Sequence, residues 1–597
     1  MKRLILGLAF AGILLGPSVY SRLTKPKIVD SIEESNSKQS EVLDRYGLWF
    51  KESGKQSGIE YRHTPPSVDQ RLAHIEPQIA SMGAAVSVVD FDRDGWNDLY
   101  VSNSSPGSLN RLYRNQQDGT FQDVAAEMGL ADLNVPGTGA CMGSIWADYD
   151  NDGFEDVCIY KWGRPELYHN DQGKRFTRVT DSAGLPDWVN AGCATWFDYD
   201  SDGFVDLFIA GYWPEDVRLE SLEHTRIMPE SFEYAGNGGR NWLLRNTGNA
   251  SFVDVTEEAG VTSTMWTLAV VAADFNEDGA TDLFLANDYG VSELYLNEAY
   301  AKGHRLREVG KEAGIGNAPK SGMNAAVGDV LNQGKLAIYE TNISEEGVLI
   351  QGNNLWFPMQ DTKLEFQNMA SVMGVELGGW SFGAQFGDLN NDGNLDLYLT
   401  NGYVSGDPAT TYWYDFSEIT GGHSQIISDA KNWPEMKGRS LSGHQHKRVW
   451  LNDGIGGFTE VGQAIGITDT FDGRAIVLAD LQNRGSLDVV VANQSGPLLL
   501  YRNQIQSGKH WIEFELEGTE SNRSAIGARV SVYWNGQRQL QELVAASGYA
   551  AQNQRRLHFG LGPADVVKKV SILWPSGHEQ IINGPAVDTI HHIREGS

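Results

Sequence analysis

AAVSVVDFDRDGWNDLYVSN, residues 84–103, joins two short β-branched runs through an aspartate-rich turn. The turn DFDRDGWND puts carboxylates at positions 1, 3, 5 and 9 (Asp90, Asp92, Asp94 and Asp98), with Gly95 at position 6 and the Trp96 carbonyl at position 7. Hard cations such as calcium take several oxygen ligands at short range, and glycine permits the sharp turn between them. An EF-hand shares the first half of this pattern but needs a glutamate at position 12, between two helices. Position 12 here is Val101, and both flanks read as strands. The stretch predicts a calcium loop inside a β-hairpin.

Four further stretches repeat it. DYDNDGFED supplies Asp148, Asp150, Asp152, the Phe154 carbonyl and Asp156, and DYDSDGFVD supplies Asp198, Asp200, Asp202, the Phe204 carbonyl and Asp206. DFNEDGATD supplies Asp274, Asn276, Asp278, the Ala280 carbonyl and Asp282. DLNNDGNLD supplies Asp388, Asn390, Asp392, the Asn394 carbonyl and Asp396. About five calcium ions are therefore expected. Two related turns have lost their ligands: DVLNQGKLA carries Leu331, Gln333 and Ala337 after Asp329, and DLQNRGSLD places Arg484 after Asp480.

The loops belong to a longer repeat. Phe50, Phe121, Phe176, Phe252, Leu306, Phe366 and Phe458 each precede a glycine–aliphatic pair, ending in Ile59, Leu130, Leu185, Val261, Ile315, Val375 and Ile467, by one fixed interval. Strands of the form Leu-Tyr-x-Asn recur after the loops, as in LYRN (112–115), LYHN (167–170) and LYLN (294–297). Seven units of about four strands describe an all-β, seven-bladed β-propeller. The first Phe…Gly unit, at 49–59, has no loop before it, and the last loop has no such unit after it. The N-terminal strand is thus expected to complete the last blade, which removes an exposed edge.

Two connections are long. Residues 211–240 and 402–447 both follow the strand that leaves a calcium loop, so both are expected on the opposite face of the ring. They carry Trp213, His224, Trp413, Tyr414, His423, Trp433, His444 and His446. Long loops on a rigid scaffold commonly carry function.

The totals narrow the function classes. A formal net charge of −31 over 597 residues argues against nucleic acid and against anionic membrane surfaces as partners. Cys141, Cys158 and Cys193 are the sole cysteines, so disulfides do not build the fold, and small buried thiols are the expected role. MKRLILGLAFAGILLGPSVYSR pairs two basic residues with an apolar run and small residues at Val19 and Ser21. That pattern predicts an export signal over 1–21, with an uncleaved N-terminal membrane anchor as the alternative, followed by a linker over 22–48. The expected location is secreted, periplasmic or cell-surface.

Past the propeller, assigned to 49–505, the calcium pattern stops and a small all-β domain is expected over 506–597. LEGTESNRSAIGARV (516–530), SGYAAQNQRRLHFGLG (547–562) and WPSG (574–577) resemble the ASPIC/UnbV domain. The preceding repeats resemble FG-GAP/VCBS-type repeats, and the two together resemble the CRTAC (cartilage acidic protein-like) family. The resemblance implies a secreted, calcium-binding propeller whose face opposite the metal loops meets partners. It brings no catalytic residue. Asn522, Arg523, Arg529, Tyr549 and His558 read either as a polar site or as turn and strand residues of the small domain.

An extracellular binding module with structural calcium, recognising a protein or a glycan, is the first functional expectation. The alternative is a calcium-dependent enzyme acting on a polysaccharide or another extracellular polymer through the same inserts. Its support is the insert chemistry, especially the tryptophans and GHQHKR (443–448), where His444 and His446 could share a strand face and chelate a metal or serve as acid and base. No carboxylate or cysteine is spaced to complete a site with them, and loop histidines are commonly solvated.

Overall fold

A computed structural model describes residues 36–300, 303–359 and 364–597. The expected export signal, and the linker as far as residue 35, lie outside the described residues. Among the described residues no helix is long and apolar enough to cross a membrane.

The chain folds as an all-β propeller. Seven antiparallel units of four strands can be traced, the first made of Val86–Val89, Asp98–Val101, Arg111–Asn115 and Phe121–Asp123. The innermost strands of the other six are Gly139–Ala147, Val189–Phe197, Trp266–Ala273, Ala326–Gly328, Ser381–Gly387 and Gly473–Ala479, and the last packs beside Val86–Val89. Leu48–Glu52 pairs antiparallel with Leu498–Ile505, Phe50 opposite Asn503, and so supplies the outer strand of the seventh unit. The ring closes with its first strand, as the phase of the repeat predicts.

The repeated Phe…Gly spacing has a physical origin at the joints between units. One-turn helices Ala125–Met128, Thr180–Ala183, Thr256–Ala259 and Ala370–Met373 each end at a left-handed glycine, with φ of 82°, 78°, 88° and 81°. That conformation costs an ordinary L residue roughly 1–2 kcal/mol. Space forbids a side chain as well: a Cβ on Gly184 would stand 2.5 Å from the Phe252 carbonyl oxygen, and one on Gly58 2.7 Å from that of Phe121. Gly466 abuts the Phe50 carbonyl in the same way, which carries the contact across the closure.

The Asn that ends Leu-Tyr-x-Asn, or its variants LLRN (243–246) and VWLN (449–452), is a second joint. Asn170 Nδ2 donates to Phe91 O, Asn246 Nδ2 to Tyr149 O and Asn297 Nδ2 to Tyr199 O, at 2.8–2.9 Å. Asn452, Asn503 and Asn115 repeat the contact to Val330 O, Leu389 O and Leu481 O. Each acceptor is the second residue of an aspartate loop in the preceding unit, with Asn115 spanning the closure. The fifth unit has Pro358 at this place and lacks the staple.

Residues 510–594 build two further sheets around one apolar core that includes Phe514, Val532, Trp534, Phe559 and Trp574. This module sits on the aspartate-loop face, and one of its loops threads the ring. Ala551–Gln552 pairs parallel with Val86–Val89. Gly548 N donates to Ala325 O, Trp146 N to Gln552 Oε1 and Leu478 N to Asn553 Oδ1, so this one loop touches inner strands around the axis.

Candidate functional site

Every aspartate loop is organised by its first carboxylate. In the second unit Asp152 N donates to Asp148 Oδ1 at 2.9 Å and Gly153 N to Asp148 Oδ2 at 2.6 Å. The same pair of contacts forms at Asp90, Asp198, Asp274 and Asp388. The ninth-position aspartate is held from both sides: Tyr199 N and Asn246 N each donate to Asp206 at 2.7 Å. Glycine at position 6 and the two strands thus aim the remaining oxygens into the loop.

In three loops the acids converge. Oxygens of Asp90, Asp92 and Asp94, of Asp148, Asp150 and Asp156, and of Asp198, Asp200 and Asp206 gather within 4.8 Å of one another. Asp92 Oδ1, Asp98 Oδ2 and Asp200 Oδ1 are buried without a hydrogen-bond partner. Buried acceptors are ordinarily satisfied, so these lone pairs fit a cation. Burial and then neighbouring carboxylates push Asp90 and Asp198 up to about 7 and Asp148 to about 8. Burial also raises Asp98, Asp206, Asp282 and Asp396 well above the carboxylate range. An oxygen-seeking dication would relieve that repulsion.

The loops at Asp274 and Asp388 take an amide, Asn276 or Asn390, at position 3. Arg529 of the C-terminal module reaches Asp274 Oδ2 at 2.8 Å, so a guanidinium already compensates part of that loop. Carbonyls of Trp96, Phe154, Phe204, Ala280 and Asn394 stand at position 7; the amide of each donates to the position-5 aspartate at 2.9 Å. In the seventh unit Arg484 and Arg502 pair with Asp488 at 3.3 and 2.6 Å, placing protein cations where the other loops gather acids. The fifth keeps only Asp329, which accepts from Gln333 N, Gly334 N and Leu540 N.

Sequence reasoning missed His169. It is the x of LYHN and lies 3.3 Å from Asp150 and 3.2 Å from Asp156. The adjacent Asp156 carboxylate raises it to about 9, against the opposing effect of burial. Arg114 occupies the same place in LYRN and pairs with Asp92 at 2.9 Å. The signal was a basic residue at a strand position that faces the loop.

On the opposite face the two inserts meet. Thr225 Oγ1 donates to Asp429 Oδ1 at 2.6 Å, Ala430 N to Thr225 O at 2.8 Å, and Phe232 packs on Phe416 and Trp433. A third segment, absent from the sequence reading, joins them: Asp69 N donates to Leu219 O and Met436 N to His74 O. Together they roof a cavity of about 820 Å³ over the axis. Buried Arg474 anchors the floor, donating to Ser81 O, Gly402 O and Tyr403 O while its guanidinium lies 3.8 Å from the Phe382 ring centroid.

Most insert aromatics are packing: Trp213, Trp413 and Trp433 are buried. Tyr414 and Tyr234 are not, at 70% and 64% exposed. His224, His423, His444 and His446 are exposed. His444 has a left-handed backbone and its ring meets Gly406 O, and residues 443–447 form no strand, so His444 and His446 share no strand face. The polar residues of the C-terminal module separate too. Tyr549 packs on Phe382 at the axis, Arg529 meets Asp274, and His558 joins Glu513 to Asn391. Asn522 closes a turn to Ile526, and Arg523 pairs with Glu517. The three cysteines are buried thiols.

The fold and loops define a repeat propeller with an appended all-β module, and comparison with known families puts names to both. FG-GAP-like repeats match residues 90–159, 148–209 and 234–285, and the ASPIC and UnbV family matches 518–597. Cartilage acidic protein 1 from mouse is 29% identical over 179 residues, covering 29% of this chain and 27% of that protein. The human protein is 29% identical over 184 residues, 29% and 26% of the two chains. FG-GAP-like repeats joined to an ASPIC/UnbV module, with this partial similarity, make the chain resemble the CRTAC-like proteins. The matched region spans about a quarter of those relatives' length. Among solved structures, the BP39L lectin from Burkholderia pseudomallei superposes with a TM-score of 0.42 at 10% identity, over 71% of this chain and 97% of that one. An Agrocybe aegerita lectin that recognises non-reducing terminal N-acetylglucosamine gives 0.34 at 14% identity, over 63% and 78%.

Proposed function

We propose that this protein is an exported, calcium-binding propeller that serves as an extracellular binding module. Calcium is structural, held by about five loops on the face beneath the C-terminal module, and the ligand face is the opposite one, formed by residues 211–240 and 402–447. The observation that carries the reading is the division of labour between faces. Buried, unpartnered carboxylate oxygens lie on one. On the other lies a cavity lined by Glu233 and Trp413, whose chain neighbours Tyr234 and Tyr414 are exposed. Exposed aromatics on a rigid scaffold are common binding anchors. The relatives' name and the apolar N-terminal stretch support export and an extracellular setting. The partner class is an extracellular protein or glycan. The enzymatic alternative keeps the insert chemistry as its sequence support, although His444 and His446 share no strand face and Trp213, Trp413 and Trp433 are buried.

Arrays of glycans and of extracellular proteins test this reading, probed with the calcium-loaded chain and with a Tyr234→Ser, Tyr414→Ser variant. Array members that bind the parent and lose at least tenfold in affinity for the variant are expected. Equal binding by both proteins would remove the insert face from recognition.

A further inference from the structure

The axial cavity carries chemistry that its role as an interior between inserts does not use. Asp288, at the end of strand Asp282–Asp288, is 7% exposed and is the buried carboxylate on the wall. Tyr212 Oη donates to its Oδ2 at 2.9 Å and Tyr289 N to its Oδ1 at 3.0 Å, which fixes it with neutral donors only. Two other lining groups are orphaned. Gln78 is 3% exposed and Trp380 6%, yet Gln78 Oε1 and Trp380 Nε1 have no hydrogen-bond partner. Buried polar atoms left unpaired are costly, so their position on a cavity wall points to a ligand that pairs them.

Charge and ring placement select the ligand class. Glu230 and Glu233 add two carboxylates to the lining and His423 an imidazole, while the guanidinium of Arg474 lies beneath the floor, engaged by the carbonyls of Ser81, Gly402 and Tyr403. Burial raises Asp288 to about 7 and so favours the neutral acid beside a neutral occupant, whereas a cation at the hydrogen-bonded carboxylate holds its ionised form. Aromatic rings stand around the same space. Trp380 stacks on Tyr403 with centroids 4.2 Å apart, while Phe232 lies 5.4 Å from Tyr289 and 5.7 Å from Phe416. Ring faces attract ammonium and guanidinium groups, most strongly where water is excluded. The volume, about 820 Å³, is that of a small-molecule site.

We infer that the axial cavity binds an organic cation, a substituted ammonium on an apolar body, with Asp288 as its counter-ion and the rings of Phe232, Tyr289, Trp380 and Phe416 as its cage. Gln78 Oε1 takes a donor of the ligand and Trp380 Nε1 meets an acceptor. The inference rests on the reading that the insert face is the binding face, and it adds a ligand class to it.

Choline and its neutral isostere 3,3-dimethylbutanol, titrated calorimetrically into the calcium-loaded chain, separate charge from shape. Methyl N-acetylglucosaminide serves as a neutral sugar. Choline binding at least tenfold tighter than the isostere is expected, lost at least tenfold in Asp288→Asn and in Phe416→Leu. The second variant is an apolar exchange in an insert helix, so it keeps the test open should Asp288→Asn fail to fold. Equal affinity for choline and its isostere, or no choline binding, would overturn the inference. A sugar that binds while choline does not would overturn the cation yet keep the insert face. Array binding unaffected by Tyr234 and Tyr414 would remove that face even if choline still enters the cavity.

Discussion

Asn246 shows how one residue serves two purposes in this ring. Its backbone N–H donates to Asp206, the ninth-position acid of its own loop, while its side chain donates to Tyr149 O in the preceding unit and to Val205 O. The recurring Leu-Tyr-x-Asn was visible in the sequence, but its variant LLRN at 243–246 and the reach of the Asn across units were not, because the acceptor lies 97 residues away. Asn246→Ala leaves buried carbonyls unpaired and is expected to cost about 1–3 kcal/mol in urea unfolding. The aspartates were more legible, since their ligand geometry is local. Burial that raises Asp90 and Asp198 to about 7 and Asp148 to about 8 fixes a sign. Unfolded carboxylates titrate near ~3.9, so between about pH 4 and 8 the folded, chelated protein binds more protons than the unfolded chain. Its stability therefore falls as pH rises through that window. Melting in chelator at pH 5.5 and 8 should show the lower temperature at pH 8, and the rise on adding calcium should be larger there, because calcium and protons compete for the same oxygens.

Strand Leu48–Glu52 is the element on which closure depends. It contributes Phe50, whose N–H donates to Ile465 O and whose carbonyl receives Gly466, and it leads to Gly58 against Phe121 O. Deleting residues 45–60 opens two joints and exposes the edge of Leu498–Ile505, so a fall of many degrees in melting temperature is expected, with aggregation through the freed edge. A truncated chain that melts like the parent would contradict the closure. The repeat phase made this element readable, and its length made the 402–447 insert stand out. What the inserts build was unreadable: the cavity needs Gln78 from a segment before the first unit, Asp288 from the fourth and Trp380 from the sixth. No periodicity links such positions. The histidine pair failed for the converse reason, because a spacing of two aligns side chains only within a strand.

Across the whole molecule, the C-terminal module is part of the propeller's interior as much as a separate body. Its loop pairs with Val86–Val89, its Tyr549 packs at the axis, and its Arg529 reaches an aspartate loop. SGYAAQNQ was recognisable as a family signature, but recognising it gave no hint that it threads the ring. Calcium beneath this module would fasten each hairpin on which the module rests, coupling metal, propeller and module in one stability. The most direct test is calcium stoichiometry measured together with the melting curve, on chain lacking residues 1–21, before and after chelation. The account expects about five ions per chain, and on chelation a large fall in melting temperature of one cooperative transition. One ion or none, with melting unchanged, would reduce the aspartates to turn formers and contradict it.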